Sequence, residues 1–237
     1  MLVNMLRERA SLDQISEFMK YLASTENSES DRLPPLTELS QELGISVASL
    51  REQLEVARTF GLVEVRPKTG IRRLPYTFAP AVRNSLAYGV RIDQNLFRSF
   101  SDLRNHIEMV YWSQAVVLLT PEDIDKLRDL VRCALEKLRG TRVQIPHAEH
   151  RELHLMIYRR LNNPFVMGIL EAYWEIYEAV GLNVYTDLNY LERVWAYHQR
   201  MVESISSGNY AAGYQALIEH TDLIFQRSRT LSNQKFE

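Results

Sequence analysis

Cysteine is all but missing from this sequence. Cys133 is the one thiol, so no disulfide can form within the chain, which suits a reducing compartment. An excess of either charge is missing too. Twenty-eight Lys and Arg against 30 Asp and Glu leave a formal net charge of -2. That excludes a protein that coats nucleic acid by bulk charge, while a local basic patch stays open. No run of about 18 apolar residues occurs, so no membrane span is expected. The stretch from Met1 to Leu12 is broken by Arg7, Glu8 and Arg9 and lacks the apolar centre of a secretory signal. A cytoplasmic location is expected. What the chain has in quantity is apolar surface: 46% of its residues are hydrophobic, enough for a packed core.

The few glycines and prolines sit at joints. A first helix is expected from about Ser11 to Ala23, followed by a polar, aperiodic loop from Ser24 to Arg32. Two short helical patterns follow, Leu36 to Leu43 and Val47 to Phe60. Gly44, Ile45 and Ser46 turn the chain between them. Glycine supplies the unusual backbone angles, and Ser46 is placed to cap the second helix. Leu62 to Val65 alternates as a strand does, Pro67 to Gly70 is turn chemistry, and Ile71 to Leu74 reads as the return strand. Pro75 and Pro80 bracket a linker. From about Asn95 onward the sequence reads as long amphipathic helices, broken near Thr120-Pro121, Gly140, Asn163-Pro164, Thr186 and Gly208. Neither a repeat nor a low-complexity tract is visible.

Two short helices, a glycine turn and a two-stranded wing make a winged helix-turn-helix. Leu39, Leu43, Ile45, Leu50 and Leu54 pack the helices together. The start of the second helix, with Ser46, Val47, Ser49 and Arg51, is then free to enter a major groove. The wing carries Arg66, Lys68, Arg72 and Arg73 with no acid between them, and with Thr69 and Gly70 it suits phosphate contact. Leu33-Pro34, Glu38-Leu39, Leu43-Gly44-Ile45-Ser46, Leu50-Arg51-Glu52, Leu54, Gly61-Leu62-Val63 and Gly70 follow one another in an order and spacing that resemble the DNA-binding domain of the GntR family. This sequence departs from that pattern where Pro35, Leu36 and Thr37 stand for the usual Ser-Glu-Arg, and where Val47 stands for an arginine. Of that arginine set only Arg51 is kept, which implies an operator unlike the family's usual one.

In the C-terminal part, Phe97, Phe100, Ile107 and Tyr111 share one helical face at spacings of three and four. Arg104 falls on the same stripe. A guanidinium there needs a partner. Glu108, one turn on, would make it a salt bridge; alternatively Arg104 points into a cavity and holds an anion. His150 and His154, one turn apart, share a face with Leu153, Ile157 and Leu161. His198 lies on the stripe of Leu191, Val194, Trp195 and Val202, and His220 on that of Leu217, Leu223 and Ile224. Four histidines on three helices therefore point toward the core, which is costly unless a metal holds them. His106 and His147 lack such placement. The segment from His150 to His154 is close to a metalloprotease motif, but Glu152 lies about 180° from the shared histidine face and cannot serve as a base there. No other catalytic arrangement is evident.

Leu103-Arg104 with Ile107-Glu108, Leu153-His154, Asn163-Pro164, His198, Gly208-Asn209-Tyr210 and His220 together resemble the FCD domain, the ligand-binding half of the FadR branch of GntR regulators, over about 140 residues. The resemblance implies a divalent metal on an Asp and three His, with a small carboxylate or water completing the site and the arginine of the first helix helping to hold it. Carried over, the histidines are His154, His198 and His220, and the arginine is Arg104. His150 stands at the Asp position, and the sequence leaves open whether its imidazole replaces the acid as fourth ligand.

The expected fold is mainly α: a winged helix-turn-helix with a small β-wing over residues 1–78, a linker over 79–91, and a bundle of about six helices over 92–237. The expected function is transcriptional regulation rather than catalysis. The regulator binds a double-stranded DNA operator as a homodimer and is modulated by a small carboxylate at a divalent transition metal, zinc or nickel, on His150, His154, His198 and His220. The alternatives are a helical metal-dependent hydrolase and a sensor that has lost specific DNA binding.

Overall fold

The structure is a computed structural model that describes residues 14–26, 30–67, 70–180 and 188–233, with side chains up to residue 223. Chain contacts divide it between Asn84 and Ser85 into two compact units.

The first unit begins with α1 (Glu17–Ser24). It starts later than the apolar pattern suggests because the Ser16 side chain accepts a hydrogen bond from the Met19 N–H and caps it there; the expected residues 11–13 lie outside the described ones. α2 (Leu36–Leu43) and α3 (Val47–Thr59) follow. Gly44, at φ 65°, ends α2 in the left-handed conformation, where a Cβ would cost about 1–2 kcal/mol. Ser46 caps α3 by accepting from the Ser49 N–H. Strands β1 (Val63–Arg66) and β2 (Gly70–Arg73) pair antiparallel with Val63 opposite Arg73 and Arg66 opposite Gly70. Both lie one residue nearer the hairpin tip than the alternation suggested. Leu62 and Leu74 still bond through Leu74 N–H to Leu62 O at 2.9 Å, just outside the ladder. Arg32 adds a bridge to Arg72 on the free edge of β2. Phe18, Leu39, Leu50, Leu54, Ala57, Val63 and Ile71 close the core.

Residues 79–91 are not an irregular connection. They belong to α4 (Ala79–Ile92), which spans the division between the units. Pro80 sits in its first turn, where a missing N–H costs nothing and the fixed φ suits a helix.

Six further helices are described in the second unit: α5 (Asn95–Val116), α6 (Pro121–Arg139), α7 (His147–Tyr158), α8 (Pro164–Ala179), α9 (Leu188–Ser206) and α10 (Tyr210–Asn233). A 3-10 turn, Arg159–Leu161, follows α7. Thr120 and Asp123 form a reciprocal capping box with Pro121 as the first residue of α6. The Asn163 side chain accepts from the Phe165 and Val166 N–H groups to open α8. The expected break at Thr186 lies outside the described residues. Trp112, Leu127, Leu153, Tyr158, Leu170, Tyr173, Trp174, Trp195 and Met201 fill the core. Among the described residues no helix is long and apolar enough to cross a membrane.

Candidate metal and effector centre

Three helices bring the four histidines together. His150 and His154 come from α7, His198 from α9 and His220 from α10. One nitrogen from each lies within 4.8 Å of the others. His154, His198 and His220 are fully buried. His150 keeps some exposed surface, but its Nε2 is sealed from solvent. The Nε2 atoms of His154 and His198 are 3.2 Å apart. Metal–nitrogen bonds of about 2.0–2.1 Å in a tetrahedron put two ligand nitrogens roughly 3.3 Å apart, so this edge already has the spacing of a ligand pair.

The donor set fits a metal on a second count. His150 Nε2, His198 Nδ1 and both nitrogens of His220 are buried without a hydrogen-bond partner. Each such atom costs about 1–3 kcal/mol. A cation that takes one lone pair from each ring would satisfy His150 Nε2 and one nitrogen of His220, and so remove part of that cost. Burial is the largest cause holding all four imidazoles well below their ordinary pKa of 6.5; in each case Arg104 or another histidine adds to it. They are therefore neutral at pH 7, the form that binds metal.

Arg104 and Glu108, one turn apart on α5, are also buried. Of the two sequence readings of Arg104, the geometry shows the pairing with Glu108. Its Nη2 is 3.0 Å from Glu108 Oε1, and its Nη1 donates to Asn105 Oδ1 at 3.0 Å. Its guanidinium also lies over the rings of Tyr173 and Trp174, at 4.8 and 5.2 Å from their centroids. Nη2 is held in the ion pair with Glu108, while Nε has no hydrogen-bond partner. Glu108 reaches the histidines as well: its Oε2 is 3.1 Å from His154 Nδ1. Desolvation raises its pKa to about 7 against the lowering effect of Arg104 and His220. The sequence offered Glu108 only as a partner for Arg104; its reach to His154, 46 residues away, had no local signal. Trp174, whose ring lies 4.6 Å from that of His150, is a neighbour that no sequence motif singled out. Glu152 pairs with Arg159 at 2.6 Å rather than with the imidazoles.

Residues 100–223 match the FCD domain family, just over half of the chain. The chain belongs to that family. Across both units it is 24% identical over 208 residues to the Uxu operon transcriptional regulator of Escherichia coli strain K12, covering 86% of this chain and 80% of that one. The Streptococcus agalactiae GntR structure has a TM-score of 0.66 and 17% identity over 89% of this chain and 96% of that one; at that identity the likeness speaks for the fold. The fold is that of the GntR structure, and its second unit carries the FCD domain. All four histidines, Arg104 and Glu108 lie within the FCD match.

In the first unit, Ser46 and Arg51 are exposed at the start of α3, with Val47 and Ser49 half-buried beside them. Arg66 and Gly70 are exposed on the wing, while Lys68 and Thr69 lie outside the described residues. The wing is less purely cationic than its sequence suggested. Arg66 pairs with Glu64 at 2.9 Å and Arg72 with Asp31 at 3.4 Å, and Arg73 donates to the backbone oxygen of Thr25. The Arg66 and Arg72 ion pairs lie at the surface and are worth about 0–1 kcal/mol each. An open groove elsewhere, lined by Arg128, Val131, Leu135, Arg139, Gln199 and Val202, contains none of the histidines, and its Arg128 is paired with Asp125.

The cluster sets a pH dependence in protein stripped of metal. Unfolded, each histidine takes up a proton below about pH 6.5; folded, it does not. Falling pH therefore favours unfolding, by about 1.4 kcal/mol per pH unit for each imidazole. Glu108 works the other way: its folded pKa of about 7 lies above the ordinary 4.5, so as pH falls from 7 to 4.5 it offsets roughly one histidine. Stability of the metal-free protein should drop steeply from about pH 6.5 downward. Tryptophan fluorescence during thermal unfolding reads this directly, since Trp112, Trp174 and Trp195 all belong to the second unit. A melting temperature that stays level between pH 7.5 and 5 would show that these imidazoles are not buried neutral.

Proposed function

We propose that this chain is a GntR-family transcriptional regulator that senses a small carboxylate at a divalent transition metal held by His150, His154, His198 and His220, and that the bound carboxylate changes its affinity for a DNA operator. The observation that carries the reading is one cluster of four imidazoles, three of which keep solvent-sealed nitrogens without a hydrogen-bond partner. Neutral imidazoles suit zinc or nickel better than magnesium or calcium. The ion brings two positive charges that no imidazole cancels. Arg104 adds one and Glu108 removes one, so the excess stays near two charges inside an apolar bundle. An anion offsets it, and the planar guanidinium of Arg104, with its Nε unpartnered, suits the paired oxygens of a carboxylate.

DNA contact is assigned to Ser46, Val47, Ser49 and Arg51 on the groove side of α3, and to Arg66, Lys68, Thr69 and Gly70 on the wing. Arg51 is the residue suited to a bidentate guanine contact. The regulator acts as a homodimer, matching a two-fold operator. Leu96, Leu103 and Val110 on α5 and Val117 at its end are seven residues apart and 43–70% exposed. That spacing offers a second copy a coiled-coil seam.

Calorimetry on zinc-loaded protein, with a panel of small mono- and dicarboxylates against their amides, tests the sensing site. The carboxylates should bind at least about tenfold more tightly, and the best of them should alter retardation of a DNA fragment selected by the protein from a random pool. His150→Asp should keep the metal but weaken carboxylate binding, because the acid cancels charge. Amides that bind as tightly as the acids would reject the reading, and a protein that selects no DNA would leave a sensor without operator binding. For the dimer, Val110→Lys should sediment as a monomer; an unchanged dimer would place the interface elsewhere.

A further inference from the structure

We propose that Glu108 is the positioning residue that couples the metal to the carboxylate, an inference that rests on the reading of the site above. Each of its oxygens faces a different half of the centre. Oε2 is 3.1 Å from His154 Nδ1, and Oε1 is 3.0 Å from Arg104 Nη2. Its place is fixed from the backbone as well, because the Tyr158 hydroxyl of α7 donates to the Glu108 carbonyl at 2.9 Å. α5 is thereby pinned to the helix that carries His150 and His154, and the Glu108 side chain is fully buried.

The contact with His154 decides a tautomer. A carboxylate only accepts, so the facing Nδ1 is the nitrogen that carries the proton. The lone pair is then on Nε2, the atom 3.2 Å from His198 Nε2 and inside the cluster. A carboxylate on the far nitrogen of a metal-bound imidazole fixes the ring and raises its basicity, and its loss typically costs 10–100-fold in metal affinity. The contact with Arg104 is of another kind. The charges are close, but neither Glu108 Oε1 nor Arg104 Nη2 has an aligned hydrogen bond. Glu108 neutralises the guanidinium at 3.0 Å but leaves its Nε without a partner. An incoming carboxylate finds that donor open and competes with Glu108 for the positive charge. As Arg104 turns to the ligand, the Glu108 charge is left to His154 and the metal. Metal and carboxylate then favour each other, and by linkage the effect is mutual.

Glu108→Gln separates these roles, since it keeps an oxygen to accept from His154 Nδ1 and loses the charge. Zinc affinity should fall about tenfold or more, set by competition with a chelating dye. Acetate affinity of the zinc-saturated variant should rise severalfold, because Arg104 is no longer neutralised. A residue that merely holds the fold would lower both affinities, so both falling, or neither changing, overturns the proposal while wild-type binding leaves the sensing site standing. Wild-type protein that takes up neither zinc nor acetate overturns both. A measurement on wild-type protein guards against a variant that does not fold: nitrogen-15 spectra of the zinc-loaded form should show His154 protonated on Nδ1 and bound to metal through Nε2. The opposite tautomer would contradict the role of Glu108.

Discussion

Neutral imidazoles buried side by side in an apolar helical bundle are the constraint on which the second unit turns. Polar groups in such a place are costly unless each has a partner, and several nitrogens here have none. The surrounding bundle is tightly built: Trp112, Trp174, Trp195, Tyr158 and Tyr173 are almost wholly enclosed. A site of this kind is expensive as a scaffold alone. It becomes favourable when a cation joins the four lone pairs and an anion balances the cation, which is also why it suits a sensor. The stability it withholds from the empty protein is returned on ligand binding.

Charge bookkeeping separates this site from the one its family resemblance implied. With His150 in place of an acid, the sequence offers no negative charge among the four candidate ligands. The structure supplies one from α5 rather than from a ligand position: Glu108 lies between Arg104 and His154. The acid therefore touches both the cation meant for the effector and an imidazole meant for the metal, and does so without occupying a coordination position. A direct Asp ligand has no such double contact.

Much of this was legible in the sequence where the signal is local. Gly44 and Ser46 punctuate α2 and α3, and both helices begin and end within a residue of their expected bounds. The one-turn spacing of His150 and His154, and the apolar stripes beneath His198 and His220, placed four side chains in one cluster before any coordinates. Where the deciding partner is remote, the reading fell short. Arg72 gave no hint of Asp31, 41 residues away, nor Arg73 of Thr25, so the wing looked more cationic than it is. Residues 79–91 were read as a joint because Pro80 commonly marks one, yet proline in a first turn is as compatible with a helix. Glu108 was visible as a neighbour of Arg104 through one turn of helix; its contact with His154 depends on how α5 and α7 pack, which periodicity within either helix does not encode.

The central claim is that the four histidines act together as a metal site. Elemental analysis of protein purified without a polyhistidine tag, set against His198→Ala prepared in the same way, tests it most directly. The account predicts up to one zinc or nickel per chain in the wild type, and loss of that metal in the variant. A full metal load in His198→Ala, or a wild-type protein that takes up no transition metal when one is supplied, would contradict it.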